Sequence, residues 1–337
     1  MARTNVYNNF VDKETYDKVN LDNKLLLEDY LLELKQNKKS EGTISQYRND
    51  FKIMFTYIYK KLENRSILEL SKRDFRGYSL YLTEECHLSS ARVNRLLSSV
   101  RSLLSFAENE DETYEYENNV AKKVKGLRNE PVREIFFLTD EQIMKLKNEL
   151  INRKKYQLAT LLMMAYDSAA RKHELTQVNK FSFMDDSKNN TNKVIGKRRK
   201  SFCLLYFSGT KECAKLWLEQ RGEDNIDSMW VVGEGENKHA ADDGNIYNWF
   251  MSMRDLLAEI EGKEMDFGPH SIRHSALQNL SDNSSYICRE LGMTSGFPIE
   301  KLKLIANHES VDTTQNYLKD TSIAELAQMF NIEIDTE

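Results

Sequence analysis

The chain has 337 residues, of which 40% are hydrophobic and 30% are charged, and its formal net charge is −5. This length predicts about two domains, and the acidic balance lacks the basic signature common among nucleic-acid-binding proteins. Because no apolar run approaches the ~18 residues that span a bilayer, and residues 1–18 lack the apolar core of a secretion signal, we expect a cytoplasmic protein with no membrane partner.

The cysteine spacing and the few helix-breaking residues indicate which kinds of fold and site to expect. The sequence has no Cys-x-x-Cys pair and so predicts neither a zinc site nor a disulfide framework from its four cysteines, Cys86, Cys203, Cys213 and Cys288. With three prolines and 13 glycines in the whole chain, long helices and few tight turns are expected. The fold should therefore be mainly α.

Two amphipathic basic helices are predicted in the first third of the chain, over residues 42–61 and 89–107. Each has apolar residues at helical spacing, with cations that include Arg48, Lys52, Arg92 and Arg95. Such a helix carries either solvated charge on a helical bundle or one face of a polyanion-binding surface.

The helical pattern breaks between about residues 108 and 135. The stretch "ENEDETYEYE" is acidic, "AKKVKGLRNEPVREIFF" is basic with one Gly and one Pro, and "LTDEQIMKLKNEL" begins a capped helix. We predict an interdomain linker here. A unit of about four helices should precede it, and a second domain should follow it.

The second domain opens with "QLATLLMMAYDSAARKHELTQV", which predicts an apolar helix, a break of small residues and a new helical turn with Arg171 and Glu174. An arginine directly after a buried segment can hold a phosphate or carboxylate with its rigid five-donor fork. The simpler interpretation is that Arg171 forms a salt bridge with Glu174 or faces solvent.

The stretch "NKVIGKRRKSFCLLYF" changes to the pattern of a β-hairpin. Its turn carries four successive cations, Lys197, Arg198, Arg199 and Lys200. They form either an ordinary charged turn or a finger that reaches a polyanion.

Two further stretches concentrate histidine beside other reactive side chains. In "FGPHSIRHSALQNL", a Gly-Pro pair precedes a helix whose first turns hold His270, Arg273 and His274. A helix N-terminus with this composition favours an anion, although a buried salt-bridge network is an alternative. In "ANHESVDTTQNYLKD", His308 ends one helix and Tyr317 is expected on the next.

Taken in chain order, these residues resemble the tyrosine recombinase (phage integrase) family over about residues 24–325. "ARKHEL" resembles the family's first arginine box, and "VIGK" resembles the end of its lysine-bearing strand. "HSIRH" resembles its His-x-x-Arg-His box, and "LKLIANHESVDTTQNY" resembles the box with its last histidine and its nucleophile. Each match is weak alone, but six residue types in this order and at suitable spacings are specific.

The resemblance implies a catalytic role for each position. Tyr317 would attack the scissile phosphate and form a 3′-phosphotyrosine link, which keeps the phosphodiester energy without ATP. The charge that grows on the phosphate oxygens would be neutralised by Arg171, Arg273 and His308. The leaving 5′ oxygen would take a proton from the hairpin lysine, Lys197, with Lys200 as the alternative.

The remaining implied roles are supporting ones. His270 would orient and deprotonate the tyrosine, and Glu174 would anchor Arg171. Because cations and a proton donor take the place of a metal ion in this chemistry, the resemblance implies neither a metal nor another cofactor.

The resemblance also implies a fold class, which is mainly α with a small β-hairpin in a two-domain tyrosine recombinase fold. The expected parts are an N-terminal extension (1–23), a helical, SAM-like core-binding domain (24–108), a linker (109–135), a mixed α/β catalytic domain (136–325) and a C-terminal tail (326–337). The tail could form a terminal helix that docks onto a neighbouring protomer.

The implied partner is double-stranded DNA in the nucleoid of a bacterial or phage-infected cell. DNA contacts would come from Arg48, Lys52, Arg92, Arg95 and the four hairpin cations, Lys197, Arg198, Arg199 and Lys200. Self-association on DNA as a dimer or tetramer is expected, and an accessory DNA-bending protein is a possible further partner.

Three departures from the family pattern change backbone freedom beside the catalytic groups. "SAAR" replaces the usual Thr-Gly before the first arginine, "ANH" stands where Leu-Gly-His is common, and "GKRRK" lacks the second glycine of the hairpin turn. An alternative function is a recombinase-fold DNA-binding regulator, such as a phage or mobile-element repressor, that no longer cuts. A third is an enzyme similar to type IB topoisomerases that relaxes supercoiled DNA.

Overall fold

The computed structural model describes residues 10–128, 135–308, 310–315 and 317–318. The chain divides into two compact units, Met1–Glu134 and Ile135–Glu337. Residues 129–134 of the predicted linker and the whole predicted tail at 326–337 lie outside the described residues. No described helix combines the length and apolar composition that crossing a membrane requires.

The N-terminal unit is built from helices. Its α-helices are α1 (Lys13–Asp17), α2 (Leu21–Gln36), α3 (Glu41–Lys61), α4 (Lys72–Leu80), α5 (Ser90–Asn109) and α6 (Asp111–Tyr114). Short 3₁₀ turns lie at Ile67–Glu69 and Val120–Lys123, and a π-helical turn lies at Tyr81–Glu85. The two basic helices begin on serine caps, because the side chains of Ser40 and Ser89 accept hydrogen bonds from the first turns of α3 and α5.

One apolar core holds this unit together. The buried faces of α2, α3 and α5 supply most of it, and Phe51 and Phe55 of α3 are fully buried. Part of the segment predicted to be linker also packs here, since Tyr116 and Ala121 are buried in the same core. The segment up to residue 128 therefore belongs to the folded N-terminal unit.

The second unit contains the remaining helices and all the strands that the structure describes. Its α-helices are α7 (Asp140–Asn152), α8 (Tyr156–Ser168), α9 (Lys172–Thr176), α10 (Ser208–Arg221), α11 (Asp243–Glu261), α12 (Pro269–Ser281), α13 (Tyr286–Glu290), α14 (Ile299–Ile305) and α15 (Val311–Gln315). Its strands are β1 (Asn190–Ile195), β2 (Ser201–Leu205), β3 (Val231–Val232) and β4 (His239–Ala240). A 3₁₀ turn at Lys180–Phe183 precedes the first strand.

The strands form two small antiparallel sheets. β1 pairs with β2 in a hairpin in which Val194 faces Phe202, and β3 pairs with β4. The hairpin turn holds Arg198 and Arg199 in the left-handed region, at φ 58° and 60°, so two non-glycine residues take the conformation that a second glycine would have adopted easily. The predicted fold class, mainly α with a small hairpin, is confirmed.

The central helix of the second unit, α8, is almost entirely buried. Near its C-terminal end the carboxylate of Asp167, which is 1% exposed, accepts three hydrogen bonds. They come from Tyr286 Oη (2.5 Å), Thr210 Oγ1 (2.6 Å) and the backbone N–H of Phe207 (2.8 Å). Asp167 thus joins α8 to the segment after the hairpin and to α13, and burial raises its pKa to about 6.

Asp167→Asn should remove a pH dependence from the stability of this unit. Because the native pKa is raised above the usual 3.8, the native state holds the proton more tightly, and the protein loses stability as pH rises from about 4 to about 6. Relative to the variant, wild type should lose up to about 3 kcal/mol over that range. Urea unfolding followed by tryptophan fluorescence measures this, since all three tryptophans lie in the second unit: Trp217, Trp230 and Trp249.

Asp186→Asn, at an exposed position, is the matched control and should leave the pH dependence of unfolding unchanged. A stability difference between wild type and Asp167→Asn that stays constant from pH 4 to pH 7 would contradict the prediction.

Candidate active site

Arg273 is the most deeply buried of the predicted site residues, with 1% of its surface exposed. It lies on α12, which starts at Pro269 because proline at the first helical position has no N–H to leave unpaired. Its guanidinium donates to the carbonyl of Ala169, to the carbonyl of Ala306 (2.6 Å) and to Nε2 of His308 (2.7 Å). Its buried Nε has no hydrogen-bond partner among the described residues.

Its surroundings destabilise the charged form of Arg273. Burial and the neighbouring positive charge of Arg171 lower the pKa of the Arg273 guanidinium to about 10. It remains protonated at neutral pH. An anion placed beside both arginines would therefore relieve desolvation and like-charge repulsion together.

Arg171 precedes α9 and is fixed by the helix that follows it. Its side chain donates to Oε1 of Glu174 (3.0 Å), while its backbone N–H donates to Oε2 of the same carboxylate (2.7 Å). Glu174 is 2% exposed. The salt bridge with Glu174, which was the simpler interpretation of Arg171, is therefore present. It also orients the guanidinium, because a buried carboxylate with two partners has little freedom to move.

His308 follows α14 and is 5% exposed. Burial, and then the charges of Arg273 and Arg171, lower the pKa of His308 to about 3, so the ring is neutral at pH 7. Because arginine only donates, Nε2 must accept the hydrogen bond from Arg273. The single proton is then on Nδ1, which donates to Oγ1 of Thr314 at 3.0 Å.

Tyr317 is half-buried among histidines and an arginine. Its ring stacks on His274, with centroids 4.2 Å apart, and lies 4.8 Å from the ring of His308 and 6.1 Å from that of His270. The guanidinium carbon of Arg273 lies 5.1 Å from its centroid. Tyr317 lies in a turn two residues after α15, not inside the helix where it was expected.

The hairpin cations are exposed at the tip of the β1–β2 turn. The turn end of the hairpin is tied to the C-cap of α9, because Gln177 exchanges two hydrogen bonds with the backbone of Ile195, the last residue of β1 (2.8 and 2.9 Å). A Cβ on Gly196 would lie 3.1 Å from Oε1 of Glu174. Lys197 therefore directly follows a residue that lies close to the carboxylate that holds Arg171. The carbonyl of Lys200 accepts a hydrogen bond from the N–H of Gly196 (2.8 Å).

The three candidate DNA-binding arginines of the N-terminal unit have acidic neighbours, and the candidate lysine lies over an aromatic ring. Arg92 and Arg95 both pair with Asp50, at 2.9 and 3.6 Å, and Asp50 itself is 2% exposed. Arg48 pairs with Glu28 at the surface (3.4 Å). Lys52 lies over the ring of Tyr16, with Nζ 5.4 Å from the centroid.

Three contributors to the site were assigned no role from the sequence. His274, one helical turn after His270, stacks on Tyr317 and donates from Nδ1 to its carbonyl (3.1 Å). Thr314 pairs with His308, and the carbonyl of Ala169 accepts from Arg273. The i, i+4 repeat of the two histidines was a visible signal, whereas the other two contacts join residues that only folding brings together.

Metal coordination finds no support in the part of the chain that the structure describes, which holds no group of three or more His, Cys, Asp or Glu side chains able to bind an ion.

Comparison with known proteins identifies the family. A sequence model of the Phage integrase family matches residues 137–322, more than half of the chain. The chain belongs to the phage integrase family. A second model, the N-terminal SAM-like domain of phage integrases, matches residues 27–111. Membership makes the protein a tyrosine recombinase, the enzyme class that the motif order predicted.

Curated relatives and a solved structure agree with this family. The chain is 24% identical to the SPbeta prophage-derived recombinase-like protein YomM of Bacillus subtilis, over 90% of this chain and 89% of that one. It is also 24% identical to tyrosine recombinase XerC of Leptospira interrogans, over 83% of each. A lambda integrase(75–356) dimer bound to a COC′ core site has the same fold, with a TM-score of 0.63 at 12% identity, covering 93% of this chain and 98% of that one.

These matches do not favour the alternative of a silent DNA-binding regulator. The recombinase family predicted from the motif order is confirmed. The roles of individual site residues stay predictions.

His308 should remain neutral far below the pH at which free imidazole gains its proton. Nuclear magnetic resonance of ¹⁵N-histidine-labelled protein, with His308 assigned from a His308→Asn variant, should show no charge change at this ring from pH 8 to about 4.5, because burial and two arginines oppose protonation. Since the pKa lies below its unfolded value of about 6.5, this residue costs stability as pH falls from about 6.5 toward 3. An inflection for His308 near pH 6.5 would contradict the buried, arginine-bound geometry.

Proposed function

We propose that this recombinase breaks and rejoins DNA at specific sites through a covalent link to Tyr317. The observation that carries the proposal is the convergence of Arg273, His308 and two histidines of α12 on one tyrosine ring. A nucleophile placed beside fixed donors for a phosphate is the arrangement that phosphoryl transesterification requires.

The proposed reaction conserves the number of phosphodiester bonds. Oη of Tyr317 attacks phosphorus, a bond forms between them, and the bond from phosphorus to the 5′ oxygen of the next nucleotide breaks. The product is a 3′-phosphotyrosine and a free 5′ hydroxyl. Attack by a 5′ hydroxyl on the phosphotyrosine reverses the step and rejoins a strand, so no external energy source is needed.

Arg171, Arg273 and His308 are proposed to bind the non-bridging phosphate oxygens. The buried, unpartnered Nε of Arg273 supports this role, since a buried donor without a partner gains a full hydrogen bond when an anion arrives. The two arginines already interact through their charges. A phosphate between them would be held by charge-assisted hydrogen bonds.

Two proton transfers accompany the proposed step. His270, whose ring centroid lies 6.1 Å from that of Tyr317, is proposed to orient the tyrosine and accept its proton. Lys197 is proposed to protonate the leaving 5′ oxygen, with Lys200 as the alternative. Gly196 lies close to Glu174, since a Cβ built on it would be 3.1 Å from Oε1 of that carboxylate. This closeness supports a role for the neighbouring Lys197 at a phosphate bound by Arg171.

We further propose that double-stranded DNA contacts Arg48, Lys52, Arg92, Arg95 and the hairpin cations, Lys197, Arg198, Arg199 and Lys200. Asp50 holds Arg92 and Arg95 at one place on the surface, so these arginines would lose little side-chain entropy on binding a phosphate. The total charge of −5 makes such local cation groups the main source of electrostatic attraction.

The lambda integrase structure is a dimer on its core site, and we propose that this chain also self-associates on DNA, as a dimer or tetramer. An accessory DNA-bending protein is proposed as a further partner. Because a DNA strand transferase acts on DNA, we propose that the protein works in the nucleoid. We propose 24–108 as the core-binding domain and 136–325 as the catalytic domain, with residues 109–128 packed against the former.

Tyr317→Phe should abolish the covalent adduct and leave DNA binding nearly unchanged, because the substitution removes one oxygen and keeps the ring that packs on His274. The bound sequence is first recovered by selection from genomic fragments. A suicide duplex, which carries that sequence with a nick beside the cleaved position, then traps the adduct for a denaturing gel.

An adduct with wild type and none with Tyr317→Phe supports the proposal. Tight binding without any wild-type adduct would instead indicate the silent regulator. Relaxation of supercoiled plasmid without strand exchange would point to the topoisomerase-like enzyme. If Tyr317→Phe cuts as well as wild type, the nucleophile is another residue.

Lys197→Ala should slow adduct formation by about 10²- to 10⁴-fold on ordinary DNA, because the 5′ oxygen then leaves without its proton donor. A suicide duplex with sulfur in place of that bridging oxygen needs no proton, since a thiolate is a good leaving group, and should bring the variant within about tenfold of wild type. Lys200→Ala is the matched control. Rescue of Lys200→Ala alone would move the role to Lys200, and rescue of neither would exclude both.

A further inference from the structure

The proton position on His308 conflicts with the task proposed for that residue. Because Arg273 can only donate, Nε2 of the neutral His308 ring must accept its hydrogen bond, and we assign the one ring proton to Nδ1. A neutral ring in this tautomer cannot donate from Nε2. To stabilise a phosphate oxygen, however, His308 must donate a hydrogen bond from the nitrogen that faces the site.

Double protonation of His308 would supply a donor at Nε2, but it is energetically unfavourable. The ring is 5% exposed and lies beside Arg273, and the charge of Arg171 also acts on it. A third positive charge here would add repulsion to desolvation. Moving the one proton from Nδ1 to Nε2 keeps the ring neutral and avoids that cost.

Such a move needs a partner for Nδ1 that can both accept and donate. Thr314, fully buried on α15, places Oγ1 3.0 Å from Nδ1. A hydroxyl accepts from Nδ1–H in one tautomer and donates to bare Nδ1 in the other. A carbonyl or carboxylate at this place would fix the proton on Nδ1, and a hydrocarbon would leave a buried nitrogen unpaired.

We propose that Thr314 is a positioning residue that allows His308 to change from acceptor to donor when a phosphate takes the Arg273 guanidinium away from Nε2. The proposal rests on the proposed function and names a residue that controls its chemistry. In the free protein, Arg273 and His308 satisfy each other. On DNA, both turn their donors to the phosphate.

The proton count is unchanged in this switch. One proton leaves Nδ1, one is taken up at Nε2, and the threonine hydroxyl turns from the ring's acceptor into its donor. Within residues 310–315 and the other parts of the chain that the structure describes, the one further hydrogen bond of Thr314 Oγ1 is a long one, 3.5 Å, to the carbonyl of Ser310. The hydroxyl is therefore weakly held and can rotate.

The first test reads the tautomer directly. Nuclear magnetic resonance of ¹⁵N-histidine-labelled Tyr317→Phe protein distinguishes a protonated Nδ1 from a protonated Nε2 at His308. We expect Nδ1–H in the free protein and Nε2–H with the suicide duplex bound. Nε2–H in the free protein, or Nδ1–H in both states, would overturn the proposal.

The second test uses matched threonine variants in an otherwise unchanged chain. Removing a direct donor to a developing oxyanion typically costs about 10²- to 10³-fold in rate, and Thr314 acts one contact further away. Thr314→Val, which keeps the shape, should slow adduct formation about 10- to 100-fold with DNA affinity within about twofold, while Thr314→Ser should stay within about threefold of wild type. Thr313→Val, at an exposed neighbour whose hydroxyl contacts Ser310, should have no effect.

Equal adduct rates for Thr314→Val and wild type, or equal slowing by Thr314→Val and Thr314→Ser, would exclude the positioning role. Thermal melting of each variant separates a folding defect from a catalytic one. If wild type forms no adduct at all, the proposed function fails, while the tautomers in free and bound protein still decide the proposal on Thr314.

Discussion

The buried guanidinium of Arg273 is the interaction on which the site depends. A lone charge at 1% exposure would cost several kcal/mol, and the cost is offset by acceptors from separate segments of the chain. They are the carbonyl of Ala169 after α8, the carbonyl of Ala306 after α14, and the ring of His308. The segments that carry both arginines and the last histidine therefore meet at one side chain, and assembling the site is part of folding this unit.

This concentration of charge also reconciles an acidic protein with a polyanionic partner. Burial and, after it, the positive charge of Arg171 lower the pKa of Arg273, and His308 stays neutral beside them. Positive potential is thus gathered in a small, partly desolvated volume, where it acts more strongly than the same charge at the surface. Net charge describes long-range attraction, whereas the site depends on this local arrangement.

The sequence was sufficient for elements that local rules determine. Proline at the start of α12, serine caps on α3 and α5, and the change of period at the hairpin each specify an element through contacts within a few residues. It could not show that Asp50 holds Arg92 and Arg95, since the partners lie more than 40 residues apart. The end of α15 before Tyr317 and the tautomer of His308 likewise depend on tertiary contacts that spacing does not encode.

Ala169 shows how a departure in residue type can preserve the geometry that the chemistry needs. This residue has φ 47° and no exposed surface, a left-handed conformation that costs a non-glycine residue about 1–2 kcal/mol. Its buried methyl group recovers part of that cost through packing. The same backbone turn aims its carbonyl at Arg273 and starts the chain toward Arg171. The site therefore depends on the left-handed backbone conformation at residue 169 more than on the residue type there. The hydrogen bond from Arg273 helps to stabilise this conformation.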